Sequence, residues 1–192
     1  GNGGKGMANM IEVRGLSGGY QGFQVQNVNL SIRQGEFFVI LGPNGSGKST
    51  LLKLLTGVLP PTKGEIYLKG KALRSYAHKE KAKLIGVLSQ EEQVAFDYTV
   101  EEVVAMGRYP HQRGWFRGLS HHDRQVINEA MQITHVEAFR HSPFHRLSGG
   151  EKQRVWLART LAQETECIFL DEPTNHLDLK FTFEILDVLK MR

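Results

Sequence analysis

The sequence predicts an α/β fold: a mainly parallel core sheet, an antiparallel β region near the N-terminus, and an inserted helical subdomain. Three observations predict it. The run Phe37-Phe38-Val39-Ile40-Leu41 is apolar on both faces and passes straight into a glycine-rich loop and a helical pattern over Lys48–Val58. A second apolar run, Cys167-Ile168-Phe169-Leu170, stops abruptly at Asp171-Glu172-Pro173. Between residues 91 and 146, strand patterns give way to helix starts.

Taken in order, residues 1–9 read as a tag remnant or a disordered lead and carry no fold argument. Met10–Arg14, Val25–Ile32, Phe37–Leu41 and Glu65–Leu68 read as strands, and Phe37–Leu41 as a central strand buried on both sides. Leu51, Leu52, Leu54 and Leu55 give Lys48–Val58 its helical stripe. Ser75–Lys83 is a short polar helix candidate, and Leu84–Leu88 another buried strand. Thr99 to Glu102 and Ser120 to Asp123 have the spacing of capping boxes. Val126, Ile127, Ala130, Met131, Ile133 and Val136 supply an apolar face to the second of these helices. A helix from about Gly150 to Gln163, the strand Cys167–Leu170 and a helix from about Asp178 complete the chain. Residues 10–90 and 147–192 are thus expected to form the α/β core and residues 91–146 the helical subdomain.

Composition narrows the function classes. The chain has 192 residues, 40% hydrophobic and 23% charged, enough for a globular domain with a real core. No window approaches the ~18 consecutive apolar residues of a spanning helix. Cys167 is the single cysteine, so no intramolecular disulfide forms, and its apolar neighbours mark it as a buried small hydrophobe. A formal charge of +4 suits phosphate ligands, anionic lipid or nucleic acid, and decides among them nothing by itself. His141 and His145 are four apart, but Pro143 between them argues against one helix presenting both to a metal. His121 and His122, near a helix start, read as solvated surface.

The loop Gly42-Pro43-Asn44-Gly45-Ser46-Gly47-Lys48-Ser49-Thr50 fits G-x-x-x-x-G-K-[ST]. Its glycines let successive backbone N–H groups point inward at phosphate oxygens, and the helix that follows adds its positive end. Lys48 brings a cation to the β- and γ-phosphates, and the Ser49 hydroxyl is a hard oxygen suited to Mg²⁺. Carboxylates at the C-terminal end of a buried strand lie where α/β sheets bind ligands. Asp171 is therefore a candidate Mg²⁺ ligand, and Glu172 a candidate to polarise the water that attacks the γ-phosphate. Leu147-Ser148-Gly149-Gly150-Glu151 opens another helix, again with capping-box spacing and with two glycines that leave N–H groups bare. One nucleotide cannot easily use both helix ends of one small domain. Two chains arranged head to tail can, each giving its phosphate loop to one nucleotide and its Ser148 end to the other.

These residues resemble the ABC ATPases, P-loop NTPases of ABC type. Leu147–Gln153, LSGGEKQ, is similar to the family signature, Gly42–Thr50 to Walker A, and Cys167–Glu172 to Walker B with its catalytic glutamate. Gln90 resembles the Q-loop glutamine that senses Mg²⁺ and the membrane partner. Asn175-His176-Leu177-Asp178 resembles the D-loop, and Tyr20 lies where the family places an aromatic that stacks on adenine. The resemblance implies ATP and Mg²⁺ as cofactors, with Glu172, Lys48 and Gln90 catalytic and Ser49, Gln90 and Asp171 around the metal. It also implies a head-to-tail dimer of two copies, integral-membrane permease subunits, and indirectly a substrate-binding protein, with no nucleic acid. Its place is cytoplasmic, peripheral on the inner face of the cell membrane, with the helical subdomain docking a short helix of the permease. The stretch Val100–His111, followed by Trp115–Ser120, is similar to importers of iron chelates, haem and cobalamin.

The family pattern continues past the helix near Asp178 with a further strand and a switch histidine. The resemblance therefore implies a natural protein longer by ~60 residues, near ordinary domain size. In related folds that strand lies between the two Walker strands, so its loss is expected to open a gap in the sheet and leave two edges unpaired. Two other readings stand beside transport: a soluble ABC ATPase acting on nucleic acid or ribosomes, and a regulator that binds nucleotide without turnover.

Overall fold

A computed structural model describes residues 9–21, 23–35, 37–40, 48–88, 97–112, 118–171 and 176–190. They form two compact units, residues 1–85 with 166–170, and residues 86–165 with 171–192.

In the first unit, β1 (Asn9–Tyr20), β2 (Phe23–Arg33), β4 (Lys63–Leu68) and β5 (Lys71–Ala72) make a four-stranded sheet in the order β2-β1-β4-β5. All its pairings are antiparallel. β1 runs well past the expected Met10–Arg14. Gly15, at φ +57, lets the strand bulge, and pairing resumes from Val13 opposite Leu30 to Leu16 opposite Val28. The glycines that break the sequence pattern thus bend the strand instead of ending it. Gly64 is at φ +83, and a Cβ there would lie 2.3 Å from the Gly15 carbonyl oxygen, so β4 and β1 meet backbone to backbone. One face of this sheet buries Ile11, Val13, Leu16, Ile32, Ile66 and Leu68. Leu54 and Leu55 of α1 (Lys48–Leu55), which packs on β1 and β2, are fully buried too. The polar helix expected at Ser75–Lys83 is split in two, a 3-10 turn at Leu73–Ser75 and α2 (His78–Leu84).

A second, three-stranded sheet has the order β3-β7-β6, from β3 (Phe37–Ile40), β7 (Cys167–Asp171) and β6 (Ile85–Leu88), and it is parallel. The residues just ahead of these strands show how they start. Glu166 accepts a hydrogen bond from the Gly35 N–H at 3.1 Å and donates its own N–H to the Leu84 carbonyl at 3.2 Å. The three strands therefore begin side by side and, being parallel, end at one edge.

Two expectations are corrected here. β7, not β3, takes the middle place among the described strands; Cys167, Ile168, Phe169 and Leu170 are all buried. An apolar run reports cover above and below a strand, not its rank in the sheet. The gap expected between the two Walker strands is also absent, because β3 and β7 are direct neighbours. Unpaired strand edges are costly, and here the two close on each other.

In the second unit, α3 (Val100–Ala105), α4 (His121–Ile133) and α5 (Gly149–Ala162) pack against one another, and α6 (His176–Lys190) packs on α5. Val100, Val103, Val104, Ile127, Ala130, Met131, Val155 and Leu157 fill this core, and Phe144 tilts against Trp156 with ring centres 4.9 Å apart. Both expected capping boxes form: Thr99 at α3 and Ser120 at α4 each accept from the N–H three residues on and are capped in return. Each such cap is worth about 1 kcal/mol. Of the expected apolar face of α4, Ile133 is half-buried and Val136 is buried just past the helix end.

Candidate nucleotide-binding site

The phosphate-facing candidates are placed in part. α1 opens at Lys48-Ser49, so the backbone has the expected strand-then-helix setting on either side of the loop. Thr50 is buried in its first turn. Gly42, Pro43, Asn44, Gly45, Ser46 and Gly47 lie outside the described residues, as do Gln90 and Glu172. Asp171 is the last residue of β7, and Asp178 falls in the first turn of α6.

Tyr20 closes β1 and is an exposed residue, 49% accessible. The Lys53 ammonium of α1 sits 5.4 Å from the ring centre. A cation over one face of an aromatic is attracted by the ring's negative face, which helps orient Tyr20. Sequence reasoning missed Lys53, because its partner is 33 positions upstream and only the packing of α1 on β1 brings them together. A hollow of about 580 Å³ lies at the other end of α1, lined by Leu54, Gly57 and Pro60. That is the negative end of the helix, although Lys63, Arg74 and Lys81 also line the hollow.

The signature segment opens α5. Ser148 is the N-cap of α5; its Oγ accepts from the Glu151 N–H at 3.2 Å, and Glu151 Oε1 accepts from the Ser148 N–H at 2.9 Å. The Ser148 backbone N–H, followed by its hydroxyl, holds the Glu151 carboxyl below the usual carboxylate range. Two of the helix's orphan N–H groups are thereby spent, and Gly149 and Gly150 carry the next ones. Ser148 and Gly149 are exposed, and a Cβ on Gly149 would meet nothing within 4 Å. The hydroxyl's single proton is turned to the Glu151 carboxylate, so an anion at this helix end would compete with Glu151 for it.

Two further features of the helical unit were not legible in the sequence. Arg108, inside the 3-10 segment Met106–His111, is 2% exposed and donates to Asp123 Oδ1 at 2.7 Å, the Ala162 carbonyl at 2.9 Å and Glu164 Oε1 at 2.6 Å. Burial works against ionisation of Asp123, but the Ser120 N–H and the Arg108 guanidinium outweigh it and hold its carboxyl below its ordinary value. Beside this network runs an open groove lined by Tyr98, Glu102, Met106, Tyr109, Gln112 and Leu119, in which Tyr109 is 61% exposed. Nothing in local spacing separates a buried arginine from a solvated one, so only the packing of three elements could reveal it. His121 and His122 are exposed, as expected of solvated surface. Cys167 is buried, which pushes its thiol up to about 12.

Comparison with known proteins bears on the same elements. The uncharacterized ABC transporter ATP-binding protein YvrA of Bacillus subtilis (strain 168) is 51% identical over 181 residues, covering 94% of this chain and 41% of that protein. The ferric enterobactin transport ATP-binding protein FepC of Escherichia coli (strain K12) is 42% identical over 175 residues, covering 91% of this chain and 64% of that protein. The solved structure of cbiO1 from Clostridium perfringens, part of the ABC transporter complex cbiONQ, superposes with a TM-score of 0.74 at 31% identity, covering 96% of this chain and 73% of that one. The chain thus spans less than two thirds of the length of these two sequence relatives. Residues 25–175, from β2 through both Walker segments and the signature, match the ABC transporter family, and the chain belongs to it.

Proposed function

We propose that this chain is the ATP-binding and hydrolysing subunit of an ABC importer that takes up an iron chelate. The observation that carries the reading is the parallel order β3-β7-β6 with all three strands starting level. Strands that start level and run parallel end at one edge, which supports reading the loop after β3 and the acidic end of β7 as parts of one site. That edge is where α/β sheets bind ligands. Support for iron-chelate uptake comes from the ferric enterobactin relative and from the stretch Val100–His111. Haem and cobalamin are the neighbouring cargo classes.

On this reading, backbone N–H groups of Gly42–Gly47 cradle the phosphates, Lys48 neutralises their charge, and Tyr20 stacks on adenine. Ser49, Asp171 and Gln90 present only oxygen donors, the set that Mg²⁺ prefers. When bound, that ion neutralises charge developing on the β- and γ-phosphates. Glu172 orients the attacking water and takes its proton. A second copy, head to tail, presents Ser148, Gly149, Gly150 and Asp178 across the nucleotide. Closure of that dimer is passed to permease subunits docked at the groove of Met106 and Tyr109. No helix among the described residues is long and apolar enough to cross a membrane. On this reading the chain meets the membrane through those subunits, on the inner face.

Glu172→Gln tests the core of this. ATP binding should persist while turnover falls by about 10²–10⁴-fold, and ATP should trap a dimer on size-exclusion chromatography. Undiminished turnover in that variant would remove Glu172 from the mechanism.

A further inference from the structure

We propose that Arg108 and His111 form a clasp that ties the groove to the C-terminal end of α5, so that events at the Ser148 end of that helix are transmitted to the groove wall. The inference rests on the nucleotide reading of the Ser148 end.

A fully buried guanidinium is uncommon, and it is tolerated only where its donors are occupied. Each partner of Arg108 does structural work. Asp123 simultaneously completes the capping box of α4, its second oxygen accepting from the Ser120 N–H at 2.9 Å. Ala162 is the last residue of α5, and its carbonyl is one of the groups a helix end leaves without an internal partner. The next residue is held as well: His111 Nε2 lies 2.6 Å from the Gln163 carbonyl. Arg108 and His111, three apart in one 3-10 segment, thus grip consecutive carbonyls at the end of α5.

Gly107 removes the remaining slack. A Cβ there would lie 2.2 Å from the Arg159 carbonyl oxygen, so the segment rests on α5 with no side chain between them. Apolar packing alone would let the segment slide along the helix; directional bonds to carbonyls fix its register. The exposed residues of the same segment, Met106 and Tyr109, line the groove. At its other end α5 carries the exposed Ser148-Gly149, and its 14 residues span about 21 Å. One rigid element therefore joins the two surfaces, and the clasp is the joint at the groove end. Arg108 is a positioning residue in this scheme and touches neither nucleotide nor partner.

The test is hydrogen exchange of the protein with and without Mg²⁺ and the non-hydrolysable analogue AMP-PNP. In the wild type, the analogue should slow exchange at residues 149–152 and also at residues 106–112, each by about fivefold or more. Arg108→Met should keep the first effect and lose the second, while its exchange at 149–152 without nucleotide stays at the wild-type rate. Arg108→Lys, which cannot reach Asp123 and the Ala162 carbonyl together, should recover only part. If Arg108→Met does not fold, Glu164→Ala replaces it. That residue's side chain is 45% exposed, so its removal spares the core, and it should weaken the remote effect while leaving the local one. Transmission to 106–112 that survives in the folded variant overturns the clasp, and so does wild-type protection confined to 149–152. Protection at neither segment in the wild type would instead sink the nucleotide reading of the Ser148 end, and the clasp with it.

Discussion

Substitutions at Ser148 separate its two roles, because each depends on a different part of one hydroxyl. As an N-cap, the oxygen accepts from the Glu151 N–H at 3.2 Å. Ser148→Ala deletes that acceptor and should cost about 1 kcal/mol, which lowers Tm by about 2–4 °C in a domain of this size. Ser148→Asp restores a good cap, so its stability should return to within a few tenths of a kcal/mol of wild type. As an anion donor, the same position behaves in the opposite way. A carboxylate placed ~4 Å from a γ-phosphate oxygen adds repulsion of about 1 kcal/mol in water and about 4 kcal/mol at a partly desolvated interface. That is a loss of roughly fivefold to a thousandfold in the step where ATP closes the dimer. The assay pairs thermal unfolding with ATPase rate. The expected pattern is an alanine variant that is slightly unstable and slowed, and an aspartate variant that is stable and nearly inactive. An aspartate variant with wild-type stability and wild-type turnover would refute the anion-site reasoning. One as unstable as the alanine variant would refute the cap.

Gly107→Ala should destabilise the protein by about 1–3 kcal/mol, because its Cβ meets backbone that cannot rotate away; the control Gly118→Ala, with nothing within 4 Å, should leave the urea midpoint unchanged. Equal midpoints for the two variants would mean the close approach to α5 is not there. Cys167 should react with a disulfide reagent such as DTNB only as fast as the protein opens at pH 8, because burial holds its thiol neutral. Since that pKa rises in the folded state from 9.0 to about 12, its contribution to stability is complete below pH 9.0 and is lost as pH climbs towards about 12. A fast stoichiometric reaction of the native protein would contradict its burial. Asp123 carries the opposite sign: its folded value lies below its ordinary 3.8, so its contribution is present above that pH and is lost as pH falls through the folded value. Asp123→Asn should therefore flatten the acid limb of the stability curve, and an unchanged limb would show that the ion pair with Arg108 does not contribute to it.

What the sequence alone determined is the chemistry that depends on neighbours along the chain. Three capping boxes were readable because a helix start needs an acceptor and a carboxylate three residues apart. The end of β7 was readable because apolar residues stop abruptly at Asp171, whereas the glycine-rich segment 42–47 lies outside the described residues. What tertiary structure alone decided depends on elements distant in sequence. It put β7 between β3 and β6, since edge pairing is a property of the whole sheet. It set Lys53 over Tyr20 and buried Arg108 among Asp123, Ala162 and Glu164, up to 56 positions away. It also turned the glycines of β1 into bulges instead of breaks, because β2 and β4 on either side supply partners that hold the strand together. A local pattern reports which backbone conformation a segment prefers. Which charge ends up buried, and against what, is settled only when separate segments compete for the same interior.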